Sequence, residues 1–585
     1  MLSLATATAL AQWFPNNPRT TALTPLEQNG QADTNKPPKY EVRAVWLTTI
    51  GGLDWPHSYA NGSASSIEKQ KGELTAILDQ LQQAGINTVL LQTRVRATTI
   101  YPSAREPWDG CLSGNPGQSP GYDALQFAID ECHRRGMQLH AWVVTIPVGK
   151  WTSAGCAKLR KQYPSLIKKI GQEGYMDPES PKTGLYLADI CEEIVRNYDV
   201  DGIHLDYIRY PETWKIKVSR QQGRRNITAI ATTISQRVKS IKPWVMMSCS
   251  PIGKSDDLSR YSSRGWNART TVCQDAQEWL RTGVMDALFP MMYFRDNNFY
   301  PFAIDWAEQA HGKIVAPGVA TYMLDRREGN WPLTTISQEL QVLRQLGLGH
   351  THFRSRFLTA DTKGIITFEH HFNPYPALTP PMTWLSSNLP EAPESLKTTT
   401  ATDGAIMLSW QVPLTEQPNG QYYNVYASRT WPVDTEDARN LVATRLTDTH
   451  ITFTARSPKP TEMFYAVTTL DRYGNESTPT QSYTPASGNK FQSSGFMPLP
   501  PYSAGSGGEA FLACDGRQLE LPEKPATLDA DMVCIATMQG KPVATRPYRG
   551  KKTNVEQLPE GFYQLRSLGR KGVTHRLGFF MIKRK

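Results

Sequence analysis

Thirteen consecutive residues, Asp199-Val200-Asp201-Gly202-Ile203-His204-Leu205-Asp206-Tyr207-Ile208-Arg209-Tyr210-Pro211, hold the densest group of side chains able to do chemistry. A strand buried in an α/β domain should be continuously apolar, so polar residues near its C-terminal end need an explanation. In a strand, His204 and Asp206 share one parity; if Leu205 faces helices, both face inward, with Asp206 at the mouth. A carboxylate there, beside Arg209, Tyr207 and Tyr210, suits glycosidic cleavage, which needs a fixed negative charge to attack or stabilise an oxocarbenium-like centre. The competing reading is a salt-bridged Asp that only anchors a loop.

Glycosidases need a second carboxyl group. Glu106, Glu212, Asp256, Asp257, Asp296 and Asp325 all fall after strand ends. Glu106 is preferred, because Glu106-Pro107-Trp108 follows a Tyr-Pro-Ser turn and a neighbouring Trp108 would desolvate the carboxyl and raise its pKa. The alternative for Glu106 is an ion pair with Arg94 or Arg96. Arg94 and Arg96, His140 and Trp142, and Tyr293 lie at the ends of other apolar runs, and Trp46 at the end of the first. With His204, Tyr207 and Arg209 they make a set suited to binding sugar hydroxyls and stacking on pyranose faces. Arg43, at the opposite end of its run, reads as structural.

The elements that would position these groups alternate from Val42 onward between short apolar runs and amphipathic segments of helical period. Strands are expected at 42–48, 88–93, 138–145, 202–207, 244–250, 287–293, 314–320 and 350–353. Helices are expected between them, at 67–84, 123–135, 184–198, 224–241 and 335–346. Eight βα units across about 340 residues fit a (β/α)8 TIM barrel spanning 40–385 better than a doubly wound sheet. Its enlarged loops carry Trp55, Trp108, Trp151 and Trp266 and lie on the C-terminal face, where barrel enzymes keep their chemistry.

Past Leu385 the texture changes to short alternating runs broken by Pro, Gly, Asn and Asp. Within 386–486, the strand around Trp410, the Asn424-Val425-Tyr426 run and the stretch from Tyr465-Ala466-Val467 to Gly474-Asn475-Glu476-Ser477 resemble a fibronectin type III domain, a β-sandwich that acts as a spacer or weak binder. A Ser/Gly/Pro-rich linker, 487–508, precedes a last β-sandwich at 509–585. Its Leu558-Pro559-Glu560-Gly561-Phe562-Tyr563-Gln564-Leu565-Arg566 strand and basic end resemble the C-terminal sorting domains of Bacteroidetes secreted proteins. An ordinary accessory sandwich is the other reading.

Over the barrel a more specific resemblance appears. Glu41-Val42-Arg43-Ala44-Val45-Trp46-Leu47-Thr48-Thr49, Asp54-Trp55-Pro56, Gln92-Thr93-Arg94-Val95-Arg96, Tyr101-Pro102-Ser103, Glu106-Pro107-Trp108, His140-Ala141-Trp142, the 199–211 motif, Ser250-Pro251-Ile252-Gly253 and Pro290-Met291-Met292-Tyr293 occur in the order seen in the glycosyl-hydrolase-like family 10. That family includes bacterial envelope proteins linked to cleavage of peptidoglycan glycan strands. The resemblance implies a TIM-barrel hydrolase with Asp206 central and a sugar polymer as substrate. One departure stands out. Many members continue the motif with a second Asp and a Tyr-Phe-Tyr-Pro tail, where this chain has Tyr207-Ile208-Arg209-Tyr210-Pro211, so a mechanism using adjacent aspartates is in doubt.

Composition narrows the alternatives. A chain of 585 residues exceeds one core and implies several domains. No run approaches the roughly 18 to 20 apolar residues of a membrane helix. The net charge of +9 comes from basic residues spread along the chain, with an excess only after Arg546. A basic face for an anionic polymer and a merely solvated surface both fit it. No nucleic-acid-binding motif is recognised. Residues 1–11 end in Ala9-Leu10-Ala11 and read as part of a signal peptide, or else as a disordered apolar tail, with a flexible leader at 12–39. These features imply an exported protein, periplasmic, surface-bound or secreted. The eight cysteines lack C-x-x-C zinc spacing; Cys111 with Cys156, or Cys514 with Cys534, would suit a disulfide in an oxidising compartment, and the sequence leaves pairing open. A metal-dependent hydrolase such as a deacetylase is disfavoured on the reading that His-x-His and His-Glu-x-x-His patterns are missing, so no metal or cofactor is expected. The remaining rival to a glycoside hydrolase is a glycan-binding protein that keeps the barrel without turnover. Oligomeric state is not legible.

Overall fold

The apolar runs are rich in Val, Leu, Ile and Met, which pack well on a pleated surface, and in the structure each lies in one parallel sheet. The computed structural model describes residues 20–21, 37–259, 265–400, 404–413, 420–453, 462–482 and, with short breaks, 512–582. In chain order the strands from Arg43 to Asn388 are β1 Arg43–Leu47, β2 Thr88–Arg94, β3 Gln138–Val144, β4 Pro147–Lys150, β5 Ile167–Ile170, β6 Glu173–Met176, β7 Gly202–Asp206, β8 Met246–Cys249, β9 Ala287–Leu288, β10 Ile314–Val315, β11 Gly318–Val319 and β12 His350–His352. The parallel sheet runs β10-β9-β8-β7-β3-β2-β1-β12-β11. Its two end strands are pieces of one stretch, 314–319, split by Pro317, which lacks an amide donor. On one side of that stretch the Ala316 and Gly318 amides donate to the carbonyls of Leu288 (2.9 Å) and Pro290 (2.7 Å). On the other, the Gly349 and Thr351 amides donate to Val315 (3.0 Å) and Pro317 (2.9 Å). The sheet is therefore barrel-like.

Alternation along the strands sorts side chains into two layers. Val45, Leu47, Leu91, Val143, Ile203 and Leu205 face outward and pack against helices through Leu74, Leu78, Ile190, Ile194, Ile227 and Ile234. Val42, Ala44, Trp46, Leu90, Trp142, Met246, Phe289 and Ile314 fill the inside. The helices are α1 Ala64–Gln83, α2 Ala124–Arg134, α3 Pro181–Asn197, α4 Arg220–Ile241, α5 Leu333–Gln345 and α6 Ile365–Phe372, with shorter ones between. α1 and α4 begin several residues earlier than hydrophobic period implies, because Ser63 and Ser219 cap free amides at Ser66 and Gln222. β4, β6 and β5 form a separate antiparallel sheet, in that order, inserted after β3 and not anticipated from the sequence.

Two compact units are present. The first comprises residues up to Asn388 with 436–446 and 472–475; the second comprises Leu389–Thr435, Thr447–Asp471 and Glu476–Lys585. In the second unit, Glu394–Thr400, Ile406–Gln411 and His450–Phe453 pair antiparallel, as do Tyr422–Ser428, Phe464–Leu470 and Thr480–Gln481. Farther on, Pro542–Pro547, Ala530–Thr537, Gly561–Gly569 and Arg576–Ile582 form a four-stranded antiparallel sheet. The signal-peptide and linker segments lie outside the described residues. All eight cysteines are free thiols, seven of them buried. Among the described residues no helix is long and apolar enough to cross a membrane.

Candidate functional site

Asp206 ends β7 on the inward face, as parity implies, while Leu205 packs outward. Three donors converge on its carboxylate: Trp142 Nε1 to Oδ2 (3.1 Å), Ser250 Oγ to Oδ1 (2.9 Å) and the Tyr207 amide to Oδ1 (2.8 Å). The last contact follows from the backbone, since Tyr207 sits at φ +53°, a left-handed conformation that costs a non-glycine residue about 1 kcal/mol. Asp206 is only 6% exposed, and burial raises its pKa, opposed by the Ser250 hydroxyl, the Arg209 charge, the Tyr207 amide and the Trp142 indole. The environment thus supports a carboxylate by hydrogen bonding while making it costly to ionise.

Around this carboxyl the structure gathers Tyr207, Arg209 and Tyr293. The Arg209 guanidinium lies 4.4 Å from the Tyr207 ring centroid and 5.5 Å from that of Trp266. One of its nitrogens donates to Glu212 (2.7 Å); Nε and Nη1 are buried without a hydrogen-bond partner among the described residues. Burial and the Asp206 charge, with Tyr322 and Tyr207 behind them, push the Tyr293 phenol well above its ordinary pKa. Tyr293 also packs on Phe353 (5.1 Å) and Tyr322 (5.8 Å), an aromatic wall the sequence reading did not assign. Arg96 is half-exposed, 3.9 Å from Glu173, and its charge reaches Tyr207. Ser250 was also missed as a functional residue, although it shares the inward parity of Met246.

Several expected site residues lie elsewhere. β2 carries a register shift between Gln92 and Arg94, which breaks the alternation and turns Arg94 to the helix side. There Arg94 binds Glu106 through two nitrogens (2.8 and 2.7 Å) and donates to the Val144 carbonyl, and Tyr186 adds a third hydrogen bond to Glu106 (3.0 Å). Both side chains are fully buried. Glu106 is therefore corrected from second catalytic carboxyl to structural ion pair, and Arg94 from sugar ligand to its partner. Trp108 is likewise corrected: it packs against the outer core.

Trp46, His204 and His140 form the floor beneath the site. The Trp46 indole donates to His204 Nε2 (3.2 Å), and His204 Nδ1 meets Ser248 Oγ (3.0 Å), so neither has a polar group left for a sugar. His140, pressed against the Cα of Gly202, is pushed down to a pKa of about 4, chiefly by burial. These three are corrected from ligands to core. Among the loop tryptophans Trp55 is buried, Trp151 stacks 4.0 Å from Arg160, and Trp266 approaches the site beside Arg209. Of the other carboxyls, Asp256 pairs with Arg269, Asp296 is exposed beside Arg295, and Asp325 accepts the Arg327 amide. Among the described residues, of these carboxyls only Glu212 is joined to this cluster, through Arg209. The chain also contains a His-x-His that the sequence reading passed over, His350-Thr351-His352, and it faces away from Asp206.

Comparison with known proteins places the barrel-bearing part of the chain. The model of the family glycosyl hydrolase-like 10 matches residues 41–223 and 214–325. The glycosyl hydrolase YngK of Bacillus subtilis (strain 168) is 27% identical over 506 residues, covering 79% of this chain and 95% of that protein. The glycosyl hydrolase DigH of Escherichia coli (strain K12) is 29% identical over 313 residues, 48% of this chain and 71% of that one. Among solved structures, α-L-fucosidase isoenzyme 2 from Paenibacillus thiaminolyticus aligns at 15% identity with a TM-score of 0.38, covering 57% of this chain and about half, 49%, of its own length.

Proposed function

We propose that this chain is a glycoside hydrolase that cleaves a polysaccharide, with Asp206 as the carboxyl group at the reacting bond and peptidoglycan glycan strands as the first substrate to test. The observation that carries the reading is a buried carboxyl held by Trp142, Ser250 and the Tyr207 amide on the inward end of β7, walled by Tyr207 and Tyr293. Two relatives named as glycosyl hydrolases and the family match over the same residues support it. Oδ2, with a single donor, keeps the capacity to engage substrate. A raised pKa suits a group that holds a proton for the leaving oxygen; Glu212, hydrogen-bonded to the Arg209 whose charge acts on Asp206, is our candidate for the second carboxyl group. In this assignment Asp206 changes from the permanently ionised group expected from sequence to the proton donor.

Asp206→Asn tests it, because the substitution keeps shape and removes the titrating proton. Turnover on purified glycan strands, with a polysaccharide panel alongside, is expected to fall about 10²- to 10⁴-fold while KM changes little. Near-normal turnover would remove Asp206 from the mechanism. A wild type that binds glycan without cleaving it would favour the adhesion reading instead. The antiparallel sheets beyond 388 fit spacer modules, a fibronectin type III-like one and a terminal one resembling sorting domains.

A further inference from the structure

On the outer side of β12, away from Asp206, both ring nitrogens of His350 are buried without a hydrogen-bond partner among the described residues, beside the buried pair of His352 Nε2 and Glu369 Oε1. All three residues are fully buried. Buried polar atoms are nearly always paired, so an imidazole with both nitrogens unpartnered beside a buried imidazole–carboxylate pair requires a cause. One donor atom from each residue can be chosen so that all lie within 4.8 Å of one another. His352 Nε2 lies 3.1 Å from Glu369 Oε1, an ion-pair distance, so two of the three donor groups already stand close together beside His350.

The surroundings orient these atoms. Thr321 Oγ1 meets His352 Nδ1 at 2.9 Å, which fixes the ring and leaves Nε2 for the cluster. Asn373 Nδ2 donates to Glu369 Oε2 at 2.6 Å, which leaves Oε1. A second layer of this kind, holding the far atom of each imidazole and carboxylate, is what metal ligands require. Glu41 takes both nearby arginines, through Arg43 Nε (2.6 Å) and Arg344 Nε (2.7 Å), so Glu369 is the carboxylate left for a cation.

We propose that His350, His352 and Glu369 form a buried structural site for one divalent ion of the zinc class, which fastens β12 to α6. Two imidazoles and one carboxylate are a zinc donor set; at Zn–N and Zn–O distances of about 2.0–2.1 Å, tetrahedral ligand atoms stand about 3.4 Å apart, near the 3.1 Å of the His352–Glu369 pair. A water carried in with the ion fills the fourth position. With all three ligand residues fully buried, the ion enters as the chain folds and takes no part in turnover. These residues lie beyond the segment matched by the family model, which ends at 325. The inference is independent of the proposed hydrolase activity.

The test uses the full chain, without a polyhistidine tag, expressed with added zinc, and measures bound metal by mass spectrometry. About one zinc per chain is expected, and stripping it with a strong chelator under mild denaturant should lower Tm, with zinc restoring it on refolding. Cobalt in its place should give tetrahedral visible bands without a thiolate charge-transfer band. E369Q should cut retained zinc by at least about tenfold. T321V, which removes only the hydroxyl that orients His352, should weaken zinc by roughly tenfold and serves if E369Q does not fold. D206N should hold zinc fully. Zinc below one-tenth of an equivalent in the wild type, or full zinc retention in both E369Q and T321V, would overturn the site.

Discussion

Asp206 shows how one side chain is set by opposing forces. Burial raises its pKa, and Ser250 is the largest of the groups that hold it down. Removing that hydroxyl in Ser250→Ala should move the limb of the pH–rate profile governed by Asp206 to higher pH, with a smaller loss of turnover than in D206N. A reduced rate with no movement of that limb would mean that Ser250 does not act through Asp206. Stability has its own sign. A carboxyl raised above its ordinary value contributes stability that is fully present below the unfolded pKa and lost as pH rises through the folded one. D206N escapes that loss, so it should melt above wild type at pH 7, and the difference should close below about pH 4. Glu106 illustrates the opposite outcome. Both of its carboxyl oxygens are taken up by Arg94 and Tyr186, which leaves the group no face for a substrate.

At the scale of elements, α5 carries an unusual burden. Glu339 sits on its buried face with both carboxyl oxygens unpaired, and burial raises its pKa to about 9, with Asp296 adding a smaller push in the same direction. Since the unfolded value is near 4.5, the stability this group contributes is full below that pH and lost progressively as pH rises to about 9. Glu339→Gln keeps the shape without the titration, so its advantage over wild type in Tm or urea midpoint should grow from pH 5 to pH 9 and amount to about 1–3 kcal/mol at pH 7. A difference that stays flat across that range would show that Glu339 is ionised and paired in the folded chain. The strands carry their own constraint. A Cβ on Gly318 would lie 2.7 Å from the Trp46 ring and one on Gly202 2.7 Å from His140, so the aromatic and imidazole floor depends on bare backbone facing it.

For the whole molecule, the described polar groups that meet Asp206, namely Trp142, Tyr207, Arg209, Ser250 and Tyr293, all precede residue 325, so chemistry should not need the later domains. A chain truncated to residues 40–385 is expected to turn over glycan at close to the full-length rate. Because residues 436–446 and 472–475 belong to the first compact unit, that comparison should include a melting curve. Inactivity in a demonstrably folded truncated chain would show that a later segment completes the site. The leader and the terminal resemblance together lead us to propose export, and cell fractionation is the direct check. Full-length protein with Met1 retained, found only in cytosol, would defeat that proposal.

The order of strands and helices was legible because hydrophobic period is a local property: a run of period two faces two layers wherever it folds, and Asp206 kept the inward side that Leu205 implied. The ends of the elements were less legible, since Ser63 and Ser219 move helix starts by hydrogen bonds that period does not register. What only the tertiary structure decided was the fate of each polar side chain. One bulge in β2 took Arg94 and Glu106 out of the site, and strand depth turned Trp46, His140 and His204 into its floor. Folding also joined His350 and His352 to Glu369, on a helix thirteen or more residues later, and joined Ser250 and Trp142 to Asp206 across neighbouring strands. Parity says which way a side chain points, but only packing says how deep it lies and who meets it there.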